Sequence, residues 1–464
     1  MDGRPIAWHN EDLSSNKTPH MVKTTAGYHN IVLETNDGWN QGALNEQGLA
    51  RFINNQNALG DWGCRARTYI SNNCSSLAEV RSYLASKNCN TCISTPVIDR
   101  DGHGAMYEIG NGNTFWEYDP NNVTRQEQTH FQTPKLFAVR ANLAFTDDQH
   151  RELDGVIDGW PDGSSKTRYL RARERFISEI TDKDSLTLEE VMSISRDGNP
   201  GIGSNGLNRA NLSSGLFTLW GAIAAGVKSG EDPKYAVMLV AFGIPDYSIF
   251  IPAWVDLSQS ELSVHVKAWN DDNIAGRSFA LFEDHFDGTA DYDDYIHGIF
   301  DDVEDNIIDA VKAARTQWLE RGNTINHHQE MKNMHNYAAY AAYYTIKSAH
   351  ATAADGDGTR NCNRPPTITS LGVVANGLDV SFAHDATDPD AGDTVTYHRW
   401  RFGDGATVTA TATPTHTYSQ PGTYQVMAYV GSGSGDRYAA NVRFEYITVP
   451  PVIPCGDSTC DSST

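Results

Sequence analysis

The sequence predicts an α+β body, then a helical extension, then an all-β sandwich. Three observations predict this. Residues 1–255 alternate strand-like runs with Gly/Asn turns and amphipathic segments. Residues 256–352 are strongly helical in pattern, and residues 367–449 repeat short alternating strands at sandwich spacing. At 464 residues the chain exceeds one ordinary core, and two or three domains are expected.

In the first region, His29–Thr35, Gly104–Ile109 and Leu136–Asn142 are rich in β-branched and aromatic residues and read as strands. Ser75–Leu84 and Ser165–Ile180 read as amphipathic helices with serine near the N-cap, and Leu186–Ser195 as a helix opened by Thr187. Ala236–Trp254 reads as two buried strands around a turn at Ile244-Pro245-Asp246. In the second region, Asp293–Leu319 and Met331–Ala349 carry apolar residues at helical spacing, and the tyrosines of the latter are assigned to helix packing. Ala353–Pro366 combines Gly, Asp and a Pro-Pro stop and marks a linker over 353–366. Beyond it, Leu378–Ala383, Thr394–Phe402, Thr423–Val430 and Arg443–Val449 alternate as sandwich strands, and 450–464 forms a tail.

The formal charge of −23 argues against a nucleic-acid partner, because an acidic surface repels phosphates. No apolar run approaches the ~20 residues that span a bilayer, and no signal peptide is visible. Of seven cysteines, Cys89 and Cys92 have half of a zinc spacing but no second ligand pair. Disulfides or buried thiols are therefore expected, and no metal or other cofactor. Cys455 and Cys460 have the spacing of a small disulfide loop, which favours an oxidising compartment. The acidic loop Asp385–Asp393 has oxygen ligands suited to calcium but lacks a full ligand pattern, and reads as a solvated turn. No H-E-x-x-H occurs, which disfavours a metalloprotease.

Four strings carry chemistry. They are D-G-R-P-I-A-W-H-N-E-D (Asp2–Asp12), A-L-N-E-Q-G-L-A (Ala43–Ala50), F-A-V-R-A-N (Phe137–Asn142) and S-S-K-T-R-Y-L-R-A-R (Ser164–Arg173). With the late G-I-P-D-Y-S-I-F-I-P-A-W run ending at Trp254, they resemble, in order, the choloylglycine hydrolase, penicillin V acylase and acyl-CoA:6-aminopenicillanate acyltransferase group of N-terminal-nucleophile hydrolases. The resemblance implies an αββα sandwich of two antiparallel sheets flanked by helices. It implies that Asp12 contacts the nucleophile's amine, that Asn55 (with Asn54 its competitor in alignment) and Asn142 hold the oxyanion, and that Arg168 is a buried site arginine. Glu11 stands where one subgroup has arginine, so that subgroup's substrate contact does not carry over. W-R-F-G-D-G (Trp400–Gly405), followed by P-T-H-T-Y-S-Q-P-G-T-Y-Q-V (Pro414–Val426), resembles a PKD domain, an Ig-like module of secreted microbial proteins that serves as spacer or binding appendage.

Such an enzyme uses the α-amine of its first residue as base for its own cysteine thiol. Here residue one is Met1 and no cysteine precedes the turn. The expectation is a truncated start, and no turnover of amides by the chain as it stands. The expected function is a secreted acylase, linear-amide hydrolase or acyltransferase for a small-molecule amide, with extracellular or periplasmic location and a PKD module that contacts an extracellular polymer or surface. The alternative is a non-catalytic extracellular binding or adhesion protein on the same scaffold.

Overall fold

The computed structural model describes residues 3–14, 19–35, 38, 40–55, 66–86, 93–109, 115–118, 139, 164–180, 186–197, 207, 210–211, 216–267, 272–285, 290–322, 327–353 and 363–451. The N-terminal part runs β1 (Ile6–Ser14), β2 (Pro19–Thr24), β3 (Asn30–Thr35), β4 (Asn40–Asn45), β5 (Ala50–Phe52), β6 (Asn54–Asn55), α1 (Ala66–Asn73), α2 (Leu77–Ser86), β7 (Ile93–Ile98), β8 (Gly104–Ile109) and β9 (Phe115–Tyr118). The middle part runs α3 (Ser164–Ile180), α4 (Leu188–Ser195), β10 (Ala210–Asn211), β11 (Leu216–Ala225), β12 (Val237–Phe242), β13 (Ile251–Ala253), α5 (Val264–Lys267), α6 (Ile274–His285), α7 (Ala290–Arg321) and α8 (His328–Ala353). Seven strands follow: β14 (Leu371–Asn376), β15 (Asp379–His384), β16 (Val395–Arg401), β17 (Thr407–Thr409), β18 (Thr415–Thr417), β19 (Gly422–Ser432) and β20 (Ala439–Val449).

The first two parts build two antiparallel sheets. One has the order β2-β3-β4-β5-β7-β8-β9, with β6 also on β7; the other has β1-β11-β12-β13, with β10 on β11. They stack face to face, because alternate residues of each are apolar and meet in one core. Leu33, Leu44, Ala50 and Phe52 come from the first sheet, and Ala7, Leu219 and Ile223 from the second. The His9 ring stacks on Phe52 at 5.9 Å, and Phe52 lies 6.3 Å from Trp220. Helices α1 and α2 cover the outer face of the first sheet through Ala66, Ile70, Leu77 and Val80. Helices α3, α4 and α6–α8 cover the second, burying every residue of the apolar run Val237–Phe242. The result is helices, sheet, sheet, helices. Helix α4 begins with a capping box: Thr187 Oγ1 accepts from the Glu190 amide while Glu190 accepts from the Thr187 amide. Of the strand expected over Leu136–Asn142, Val139 alone is described, and it lies outside the named strands. Cys74 is a buried free thiol, and burial pushes its pKa up to about 12; the other six cysteines lie outside the described residues.

The C-terminal sandwich packs the sheet β14-β15-β18 on β17-β16-β19-β20 over Phe382, Trp400, Tyr418 and Val426. Tyr418 donates to the Phe402 carbonyl across that core. The second face of its larger sheet is also covered. Met427, Tyr429, Ala440, Val442 and Phe444 join the core of the N-terminal body, against α7 and α8. Thr345 Oγ1 donates to the Ala440 carbonyl at 2.9 Å, and Arg443 Nη1 donates to Asn306 Oδ1 at 2.7 Å.

His335 on α8 ties the helices to the second sheet. It is fully buried, its Nε2 accepts from the Ser263 amide at 3.0 Å, and its Nδ1 lies 2.8 Å from the Pro252 carbonyl. Those partners fix the neutral Nδ1–H tautomer. Burial lowers its pKa to about 4. The unfolded chain binds this proton at a higher pH than the folded chain does. The stabilisation is therefore complete above the free imidazole's range and drains away as pH falls from about 6.5 toward about 4. Urea unfolding should show a loss on the order of 3 kcal/mol across that window, and His335→Gln should flatten the slope.

Candidate active site

The end of β1 is where the residues singled out in the sequence begin to converge. The β1–β11 register shifts between Glu11 and Asp12, so Glu11 pairs with Trp220 and Asp12 with Thr218. This irregularity re-aims the strand end, a common use of bulges beside functional sites. Asp12 Oδ1 accepts from Thr218 Oγ1 at 2.7 Å, and Asp12 Oδ2 lies 3.7 Å from Arg168 Nε. Arg168 sits in the first turns of α3 and is 8% exposed, so this is a largely desolvated pair. Helix α3 is seated here by Tyr169, Ala172 and Phe176, which pack into the core, with Phe176 5.8 Å from Trp8.

Two more titratable groups, His9 and Glu11, lie just upstream on β1 and were missed as a pair in the sequence. His9 Nε2 and Glu11 Oε2 are 2.7 Å apart, with both side chains buried between the sheets and Trp220 5.3 Å from the His9 ring. Burial raises the Glu11 pKa, and the bond to His9 counters part of that rise. The signal was available: residues i and i+2 of a strand share a face. Asn10 points the other way. Its amide donates to the Ser195 and Leu207 carbonyls at 2.7 and 2.9 Å, so it fixes α4 to the sheet.

Of the other sequence candidates, Asn55 closes the short β6, where its backbone pairs with Ile93 of β7. Its side chain lies outside the described residues, and so does the whole of Asn142. The fold thus brings Asp12 and Arg168 together. Asn45, within the L-N-E-Q-G-L-A string, is a turn residue. Its Oδ1 accepts from the amides of Gln47 and Leu49, and its amide donates to the Ser71 and Cys74 carbonyls.

In the C-terminal domain the acidic loop is occupied by local bonds. Asp385 accepts from the Thr369 and Ser370 amides at 3.0 Å, and Asp390 takes the Arg364 amide and guanidinium at 2.7 and 2.8 Å. Asp388, Asp390 and Asp393 each bring a carboxylate oxygen within 4.8 Å of the others. These local bonds fix the loop as a turn. Among the described residues no helix is long and apolar enough to cross a membrane.

No curated protein matches the chain. Among solved structures, the fold is similar to a mutant conjugated bile acid hydrolase from Clostridium perfringens, at 16% identity and a TM-score of 0.35, covering 57% of this chain and 92% of that one. Penicillin V acylase from Agrobacterium tumefaciens is similar at 12% identity and a TM-score of 0.35, covering 56% of this chain and 84% of that one. The PKD1 domain of Vibrio anguillarum Epp is similar at 25% identity and a TM-score of 0.17, covering 19% of this chain and 98% of that domain. Residues 363–445 match the family model of the PKD domain, which identifies the C-terminal sandwich as PKD-type.

Proposed function

We propose that this chain is the body of an exported linear-amide hydrolase or acylase of the N-terminal-nucleophile class, acting on a small-molecule amide. The observation that carries the reading is the meeting of Asp12, Thr218 and Arg168, three residues far apart in sequence, at the end of β1. In this reading the Asp12 carboxylate, paired with Arg168 and oriented by Thr218, accepts a hydrogen bond from the α-amine of the mature chain's first residue. That amine removes the thiol proton of the same residue. The thiolate adds to the acyl carbon, the carbon–nitrogen bond breaks, and the amine leaves with the proton. Water then cleaves the thioester to release the acid. Asn55 and Asn142 supply the amide donors that face the oxyanion. Transfer to an amine in place of water is the same chemistry with another acceptor. The PKD-type domain supports an extracellular setting.

The test uses the mature native protein, its N-terminus read by mass spectrometry, with N-acyl amino acids, bile-salt amides and penicillin V as substrates. The expected result is a cysteine at the first position, hydrolysis of one class, and loss of activity after iodoacetamide. A correctly matured protein that cleaves none of them defeats the enzyme reading and favours a non-catalytic extracellular binding protein.

A further inference from the structure

We propose that the outer face of β16, beside helix α8, binds a short acidic saccharide of the uronate kind. This site is separate from the Asp12 centre and does not depend on the function proposed above. Strand β16 turns Tyr397, Arg399 and Arg401 toward α8, because its alternate residues face the sandwich. Trp400 lies in that core, and His398 meets His384 of the other sheet at 2.9 Å. Both guanidiniums lie over the Tyr337 ring of α8, at 5.6 and 5.8 Å. On the far side, Thr409 of β17 pairs with Arg399 and Thr407 with Arg401, and both threonines are exposed. The row is therefore a ledge between α8 and the edge strand β17.

The two arginines stand out by what they lack. In a chain of 59 acidic and 36 basic residues, carboxylates are in surplus. Arg196, Arg321 and Arg364 each hold one, and the buried Arg51 and Arg315 donate to carbonyl oxygens. Arg399 and Arg401 are half-buried and have neither an ion pair nor a hydrogen bond among the described residues; even the buried Nε of Arg399 has no acceptor. Attraction to the Tyr337 ring takes up no N–H donor, so both guanidinium forks remain unspent. Two like charges about 7 Å apart along a strand repel, and an anion lying across both relieves that repulsion. Each fork matches a carboxylate bidentately. Tyr397 indicates what carries the carboxylate. It is 36% exposed, and Tyr429 and Tyr438 brace its ring edge-on at 5.9 and 6.3 Å. An exposed, braced ring beside two guanidiniums fits a sugar that has an apolar C–H face and a carboxylate. The row of three spans about 14 Å of strand, the length of a short oligosaccharide. A uronate chain carries one charge per sugar. A nucleic-acid duplex carries one per about 1.7 Å, and the net charge of −23 repels that density far more strongly.

Calorimetric titration of the purified chain with trigalacturonate, beside maltotriose and acetate at matched ionic strength, tests this. The expected result is saturable one-to-one binding of trigalacturonate, at least tenfold tighter than either control. The Arg399→Gln/Arg401→Gln variant should lose tenfold or more. Because those side chains also touch Tyr337, Tyr397→Ala provides a second variant at the exposed end of the row, and it should weaken trigalacturonate binding at least threefold. A thermal melt shows that each variant is folded. The absence of saturable trigalacturonate binding overturns the proposal. So does maltotriose or acetate binding as tightly as trigalacturonate, or a folded variant binding like the parent.

Discussion

Ending the chain after Ala353 is expected to abolish a soluble, cooperatively folded N-terminal body, although the cut removes what the sequence marks as a separate module. Helix α8 is one reason. Its outer face meets the PKD-type sheet, with Tyr337 5.8 Å from Tyr429 and the Arg399 and Arg401 guanidiniums over the Tyr337 ring at 5.6 and 5.8 Å. Tyr344 packs edge-on against Tyr438 at 5.0 Å. From the sheet, Met427, Tyr429, Val442 and Phe444 are all buried. Deleting these four uncovers the apolar face of α7 and α8 packed against them, a loss on the order of 5–10 kcal/mol, comparable with the whole net stability of about 5–15 kcal/mol of an ordinary domain. The polar contacts that cross the cut, Tyr446 to Glu330 and Arg443 to Asn306, would be lost with them. Tyr446 donates to Glu330 at 2.8 Å, Glu330 also takes Arg321 and the Trp318 indole N–H, and Asn306 bonds Arg443. Size-exclusion chromatography should show aggregates or an expanded species, and the thermal transition should lose its cooperativity. A truncated chain that stays monomeric and melts within a few degrees of the intact one would show that the helices need no cover. The milder variant Val442→Asp places one carboxylate in the same interface and should lower the melting temperature of the whole chain, not of the sandwich alone.

This interface also shows where the sequence stopped being legible. Element type was readable because it is local. The period of Ser165–Ile180, the Thr187 capping box and the alternation of the C-terminal strands each declare themselves within one window. The Val426–Val430 run is apolar at every position, the mark of a strand buried on both faces. Read as one more sandwich strand, it did not reveal that the second face belongs to α8, because nothing local to the strand names its partner. The same limit holds at the site. Asp12 and Arg168 were found through the order of motifs, and their 3.7 Å approach is tertiary. Thr218 had no motif to announce it, and its role comes only from the register shift that sets it opposite Asp12.

Glu304→Leu is expected to cost about 3–5 kcal/mol. Arg196 is the hub. Its two terminal nitrogens bond the two Glu304 oxygens at 2.6 Å each, its Nε donates to the Pro245 carbonyl at 3.1 Å, and Nη2 also reaches the Ser248 carbonyl at 3.2 Å. Its guanidinium lies 5.2 Å from the Phe250 ring centre, and the Phe250 amide donates to Glu304 at 2.7 Å. The side chains are only 12% and 7% exposed. Deleting the carboxylate strands a guanidinium and a backbone N–H in a largely buried position, and a buried donor left unmade costs more than the bond contributed. The segment at risk is Gly243–Phe250, the turn between β12 and β13 that Arg196 clasps from α4. Gly243 there has φ +91° and a Cβ would collide with Ser278, so the start of the turn is packed directly against α6. Replacing both members, Arg196→Met with Glu304→Leu, removes the unpaired charge along with its cause and should cost less than Glu304→Leu alone. Urea unfolding of the two singles and the double closes the cycle. A single-variant loss below about 1 kcal/mol, the scale of a surface pair, would mean that solvent already screens this bridge and that the turn is held by its apolar contacts.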